Sequence, residues 1–199
     1  MNHTSSGQRR RVIVGVCLIV GPALVILADL LKTRRLTYLT IMWVATIFLL
    51  VGAFGVAHLL RAKADWFGLI GAGCCLVGLI AYSGAMSIYR FSTIFYRGVE
   101  GVAPNAMELA LKVEPRLGTL TYLPGFLWPL GLLILSIGLI RDGRFGVMVG
   151  CILGLGAILF PIGRQGRVQL AVIPGDLLIF AALAWIGFQL FRQPSSWQD

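Results

Sequence analysis

The sequence predicts an all-α integral membrane protein with six transmembrane helices, three on each side of a short interfacial amphipathic helix. Three observations lead there. Hydrophobic residues make up 58% of the 199 residues and charged residues 13%, with a mean hydropathy of +0.87, whereas soluble domains carry about 25% charged residues. The apolar residues are gathered in runs near the ~20 residues that cross a ~30 Å hydrocarbon core. One long polar interruption, residues 90–118, has three such runs before it and three after it. The whole chain, 1–199, reads as a single membrane domain.

The first span is expected over 12–31, after a polar segment that ends in Arg9, Arg10 and Arg11. Arginines ahead of an apolar run also begin a signal peptide. This run is too long for one, however, and no small-x-small cleavage site follows it, so it reads as a retained span. Pro22 should kink it, with neighbouring helices satisfying the freed carbonyl. The second span, 38–60, has Tyr38 and Trp43 toward its start. A tight loop with Arg61, Lys63 and Asp65 joins it to the third, 66–89, which is rich in Gly and Ala.

In the central stretch, Asn105 can cap a helix over 105–114, with Glu108 reaching back to it and Pro115 ending it. Ala106, Leu109, Ala110 and Val113 share one face, and Glu108 and Lys112 form an i,i+4 pair on another. Such a helix lies flat at a membrane surface or over the mouth of a bundle.

The fourth span, 119–140, carries Pro124 and Pro129 near its start. Asp142 follows between Arg141 and Arg144 in a short turn. The fifth, 145–163, carries Gly146, Gly150 and Gly154 at four-residue spacing, the pattern that lets helices approach closely in lipid. The sixth, 168–191, is interrupted by Pro174-Gly175-Asp176. Either this span is one kinked helix, or a partly buried segment leads to a helix N-capped at Asp176, which Pro-Gly before Asp favours. The residues before Pro174 must still enter the membrane, because the stretch after it is too short to cross alone. Pro22–Arg34 and Pro129–Arg141 share a course from proline through aliphatic residues to a basic loop, a match short enough to arise by chance as well as from an inverted repeat.

Six spans put the first, third and fifth loops on one face, and the termini with the second and fourth loops on the other. Ionisable groups at membrane depth then gather at the odd-loop face: Asp29, Tyr89, Arg90, Arg164, Arg167 and Asp176, with Glu100 and Glu108 of the central stretch beside them. Charges there are costly and usually face a partner or a wet cavity. The expectation is a polar mouth in which Asp176 pairs with Arg90, Arg164 or Arg167. Such a mouth would bind or move a small solute or a lipid headgroup. Two other readings remain open. One is an accessory subunit, docking a second copy or a membrane partner through the Gly146/Gly150/Gly154 face. The other is an intramembrane enzyme using Glu100, Glu108 or Asp176 as acid and base.

Catalytic and cofactor signatures point nowhere specific. There is no G-x-S-x-G, H-E-x-x-H or Walker-type loop. Ala81-Tyr82-Ser83-Gly84 is similar to the serine neighbourhood of rhomboid proteases, but no later span supplies a base histidine. His58 is the only histidine within a span and has no Cys, Asp or Glu at ligand spacing, so no metal is expected. No lysine lies inside a span for a Schiff base, and no cofactor is expected. Cys17, Cys74, Cys75 and Cys151 all sit in apolar runs and read as small buried hydrophobes. The net charge of +9 comes from single basic residues and small groups at span ends, which anchor helices in the bilayer. They do not form the aromatic-interleaved patches that bind nucleic acid. The chain resembles the six-span proteins of bacterial inner membranes, and the cytoplasmic (inner) membrane is the expected location. Lys and Arg divide almost evenly between the two faces. Arg9–Arg11 ahead of the first span favour cytoplasmic N- and C-termini.

Overall fold

The computed structural model describes residues 3–31, 35–60, 65–97, 124–164 and 169–192. Among them the chain is helical, without strands. The helices are α1 (His3–Leu30), α2 (Arg35–Leu60), α3 (Asp65–Arg97), α4 (Leu127–Asp142), α5 (Val147–Arg164) and α6 (Gln169–Arg192), and a 3₁₀ turn, Pro124–Phe126, leads into α4. Five helices are long and apolar enough to cross a membrane, and α5 is a shorter apolar helix. The outward surface is apolar too. Ile47, Leu69, Met148 and Leu170 are 60–89% exposed, a surface of the kind that marks a membrane or protein interface.

Each helix packs on its chain neighbours, and α1 packs on α6 to close a ring. Across the ring, α2 and α4 also touch. The contacts show every neighbouring pair to be antiparallel. On α1 and α2, Val14 faces Gly55, Leu18 faces Gly52 and Gly21 faces Leu49. Gly15 meets the Gly187 carbonyl and Phe191 on α6, so the N-terminal end of α1 and the C-terminal end of α6 lie together. Gly68 meets Ala57, Gly131 meets Gly71 and Cys75, Gly154 meets Ser136, and Gly156 meets Ile179 and Gly175. Every seam of the ring therefore has a glycine against the facing helix. Between apolar helices in lipid, attraction depends on such close backbone approach.

Several boundaries differ from expectation. The first helix begins at His3, so the arginines that precede the apolar run already lie on it. The third continues past residue 89 to Arg97 and has 33 residues, roughly 50 Å at 1.5 Å per residue. Arg90 marks a polarity change but does not break a helix, and the next glycine is Gly98. The interfacial helix expected over 105–114 lies outside the described residues.

The largest difference concerns α6. It is one continuous helix with Pro174 inside it, so Asp176 is not an N-cap. Gly175 lies against the backbone of Leu159 and Phe160 on α5. The Pro-Gly pair thus serves helix packing, and neighbouring helices can compensate the backbone bond that proline removes.

Gly146 also departs from its expected role. It precedes α5, in the turn after α4, with φ +85°, and Gly143 has φ +70° and donates its N–H to the Leu139 carbonyl at 3.0 Å. Both need glycine for the left-handed backbone of a tight connection. Nothing lies within 4 Å of where a Gly146 side chain would begin. Gly150 and Gly154 do share a face, and it is covered by Ser136 and Ile140 of α4. That covered face does not support docking of a second copy or a partner.

Candidate functional site

Among the described residues the helices bury few polar side chains, and two of these, Thr46 and Asp176, line one cavity within the ring. It has a volume of about 30 Å³ and receives residues from all six helices. Pro22 comes from α1, Thr46 from α2, Tyr82 from α3, Trp128 from α4, Phe160 from α5 and Asp176 from α6, with Met42, Leu49 and Leu79 among the apolar walls. A site needs about 10–15 Å³ on this measure to hold one water, so the cavity takes a water or two, or one ion of similar size.

Three aromatic rings and one carboxylate define its chemistry. Tyr82 and Phe160 meet edge to face, with centroids 6.1 Å apart and planes at 63°. Trp128 is 4% exposed and Asp176 7%. Asp176, Tyr82, Ser83 and Phe160 all have interaction partners, so this is an engaged polar interior.

Thr46 and Ser83 form a second polar element beside it. The Thr46 hydroxyl donates to the Met42 carbonyl at 2.8 Å and lies 2.6 Å from the Ser83 hydroxyl. Thr46 has one proton and the carbonyl takes it, so Ser83 donates to Thr46. The pair ties α2 to α3 at the cavity and keeps both hydroxyls satisfied, as a buried hydroxyl requires. Near it, the Cys75 thiol approaches the Trp128 carbonyl at 3.9 Å, which holds α3 to α4.

On the odd-loop side of the cavity, Ala28, Tyr38, Met42 and Tyr82 form a small buried cluster with Val25 and Ile41 against it. Tyr38, at 3% exposure, is a buried part of this roof. Tyr82 belongs to both the roof and the cavity wall.

Asp176 lines the cavity with Pro22, and the α1–α6 register, with Gly15 against Gly187 and Phe191, sets Asp176 beside residues 26–30 of α1. Asp29 falls within that range and is half-buried. The backbone of α3 includes Tyr89 and Arg90, and Arg164 ends α5. The side chains of Tyr89, Arg90 and Arg164, and all of Glu100, Glu108 and Arg167, lie outside the described residues. Among the described residues, no three His, Cys, Asp or Glu side chains gather as metal ligands.

Thr46, Tyr82, Ser83, Trp128 and Phe160 were not legible as site residues. Tyr82-Ser83 stood out only as a protease-like tetrapeptide, and the rings looked like ordinary apolar content. A faint signal existed, because Thr46, Ser83 and Asp176 are polar residues inside apolar runs.

A second buried acid lies at the opposite end of the ring. Asp142 closes α4 and is 6% exposed. The Arg144 Nε lies 3.1 Å from its Oδ1, yet neither carboxylate oxygen receives a hydrogen bond. The guanidinium is close enough to pair by charge but is not aimed along an N–H. Nearby, Arg141 stacks 5.0 Å from the centre of the Phe67 ring, which brings the second and fourth loops to one face. Among the described residues, buried acids therefore lie both at the central cavity and at the end of the ring that holds the second and fourth loops.

Compared with protein-family models, curated proteins and solved structures, the chain matches none, so its chemistry has to be read from its own residues.

Proposed function

We propose that the protein spans the membrane six times and binds a small cation at the centre of its helix ring, as a carrier or a membrane receptor for that ion. One observation carries this reading: Asp176 and three aromatic residues line the same cavity. Aromatic faces attract cations, most strongly when both are desolvated. A buried carboxylate supplies the counter-charge, and intramembrane acids commonly mark an ion pathway. The volume restricts the ion to ammonium size.

The test is a thermal-shift titration of the purified protein in neutral detergent with ammonium chloride, against choline chloride at matched ionic strength. At a hundredfold excess over the dissociation constant, a ligand bound only by the folded state adds about 2.7 kcal/mol. Ammonium should stabilise the native protein by that order, choline should not fit, and Asp176→Asn should abolish the shift. Equal shifts with the two salts, or an ammonium shift that survives Asp176→Asn, would remove the reading. So would strong coupling of Asp176→Asn to Gln at Arg90, Arg164 or Arg167 in double-mutant cycles, since Asp176 would then be the structural half of an ion pair.

The same reading puts both termini in the cytoplasm, because Arg9–Arg11 precede the first span and the first span usually sets orientation. In a background with Cys17, Cys74, Cys75 and Cys151 replaced, Glu108→Cys should react with an impermeant maleimide in intact cells. His3→Cys and Trp197→Cys should react only after permeabilisation. Reaction of positions 3 and 108 from the same side would contradict six spans.

A further inference from the structure

A groove on the outside of the ring, away from the central cavity, has the form of a lipid site. It lies between α1 and α2 at the end where the termini meet and encloses about 360 Å³. Its rim carries Arg10, Arg11 and His58, and its wall carries Ile13, Val51 and Phe54. The two helices run antiparallel, with Val14 opposite Gly55. That register sets Arg11 level with His58 and leaves the apolar wall reaching roughly 10 Å toward the bilayer centre, from His58 to Val51 at 1.5 Å per residue. Arg10 and His58 are exposed, as are Ile13, Val51 and Phe54.

We propose that this groove binds one anionic phospholipid of the leaflet on the terminal side. The phosphate headgroup sits between the two guanidinium groups and His58, and an acyl chain lies along Val51 and Phe54. Charge complementarity and the amphipathic order of the groove, cationic at the rim and apolar below, select this occupant. Guanidinium groups form forked hydrogen bonds to phosphate oxygens. A neutral zwitterionic lipid offers the same tails without the net charge. Arg9 belongs to the same basic cluster but does not line the groove, so general attraction to an anionic surface and a built site make different predictions.

Native mass spectrometry of the full chain, from micelles with equal amounts of dioleoylphosphatidylglycerol and dioleoylphosphatidylcholine, is the test. One basic side chain at an anionic surface changes affinity about five-fold. The native protein should therefore retain phosphatidylglycerol about 25-fold in preference, and the double variant Arg10→Gln/Arg11→Gln should lose that preference. Arg9→Gln should keep it. Val51→Trp, which fills the apolar wall and leaves every charge in place, should lower retention of the lipid. Circular dichroism of each variant confirms that it is folded. The proposal falls if the double variant keeps its preference, if Arg9→Gln loses as much, or if Val51→Trp retains lipid as well as the native protein. It also falls if inorganic phosphate displaces the lipid, because the rim would then be a site for a free anion.

Discussion

Gly78→Ala should cost about 3 kcal/mol or more, at or above the top of the usual range for overpacked sites. For a chain of this size that is a fall of about 6–12 °C in melting temperature. A methyl at this position of α3 would enter the backbone of α4, with the Leu127 carbonyl carbon and the Trp128 Cα both within 2.6 Å. Side chains can change rotamer to admit a methyl, but backbone cannot. The two helices must move apart, and Trp128, which lines the central cavity, moves with them. The control is on the same helix. Gly73 has nothing within 4 Å of the place a methyl would occupy, so Gly73→Ala should be neutral or add up to about 1 kcal/mol through helix propensity. Thermal unfolding in detergent, followed by circular dichroism, measures both. Similar effects at 78 and 73 would mean that α3 does not meet α4 along this line.

Arg144→Met should cost about 3 kcal/mol, while Asp142→Asn should cost much less. Removing one partner of a buried ion pair typically costs 3–5 kcal/mol because the other charge is stranded. The lower end applies here, since the Arg144 side chain keeps 21% of its surface exposed while that of Asp142 keeps none. The asymmetry follows from that difference. Without Arg144, Asp142 is an enclosed anion at the C-terminal end of α4, where the helix dipole is also negative. Without Asp142, Arg144 can extend its charge toward water. The double variant Asp142→Asn/Arg144→Met should therefore recover most of the loss. Equal costs for the two single changes, or additive costs in the double, would show that Asp142 is satisfied by a group other than Arg144.

These two regions show how far the sequence can be read. The turn around Asp142 was legible, because a short polar segment between apolar runs has few alternatives. The burial of Asp142 was not, since it depends on how neighbouring helix ends close over it. Gly146, Gly150 and Gly154 looked alike at four-residue spacing. Only the backbone shows that Gly146 serves a left-handed turn while Gly150 and Gly154 admit Ser136 and Ile140. At Pro174-Gly175-Asp176, local preference favoured a break and a cap. Packing of Gly175 on α5 instead kept the helix continuous and turned Asp176 inward. Of the eight residues expected at a polar mouth, Asp29 and Asp176 have described side chains.

By itself the sequence determined the helical secondary structure and the approximate position of each apolar run. These are local properties, because hydropathy and run length are written along the chain and lipid leaves backbone polar groups few alternatives to a helix. Tertiary structure alone decided which side of each helix faces the ring. A helix that is apolar all round, as α2 is over most of its length, carries almost no signal of its own inward face. Its rotation is set by where glycines let neighbouring backbones approach. That rotation brings Thr46, Tyr82, Trp128, Phe160 and Asp176, from five different helices, to one cavity.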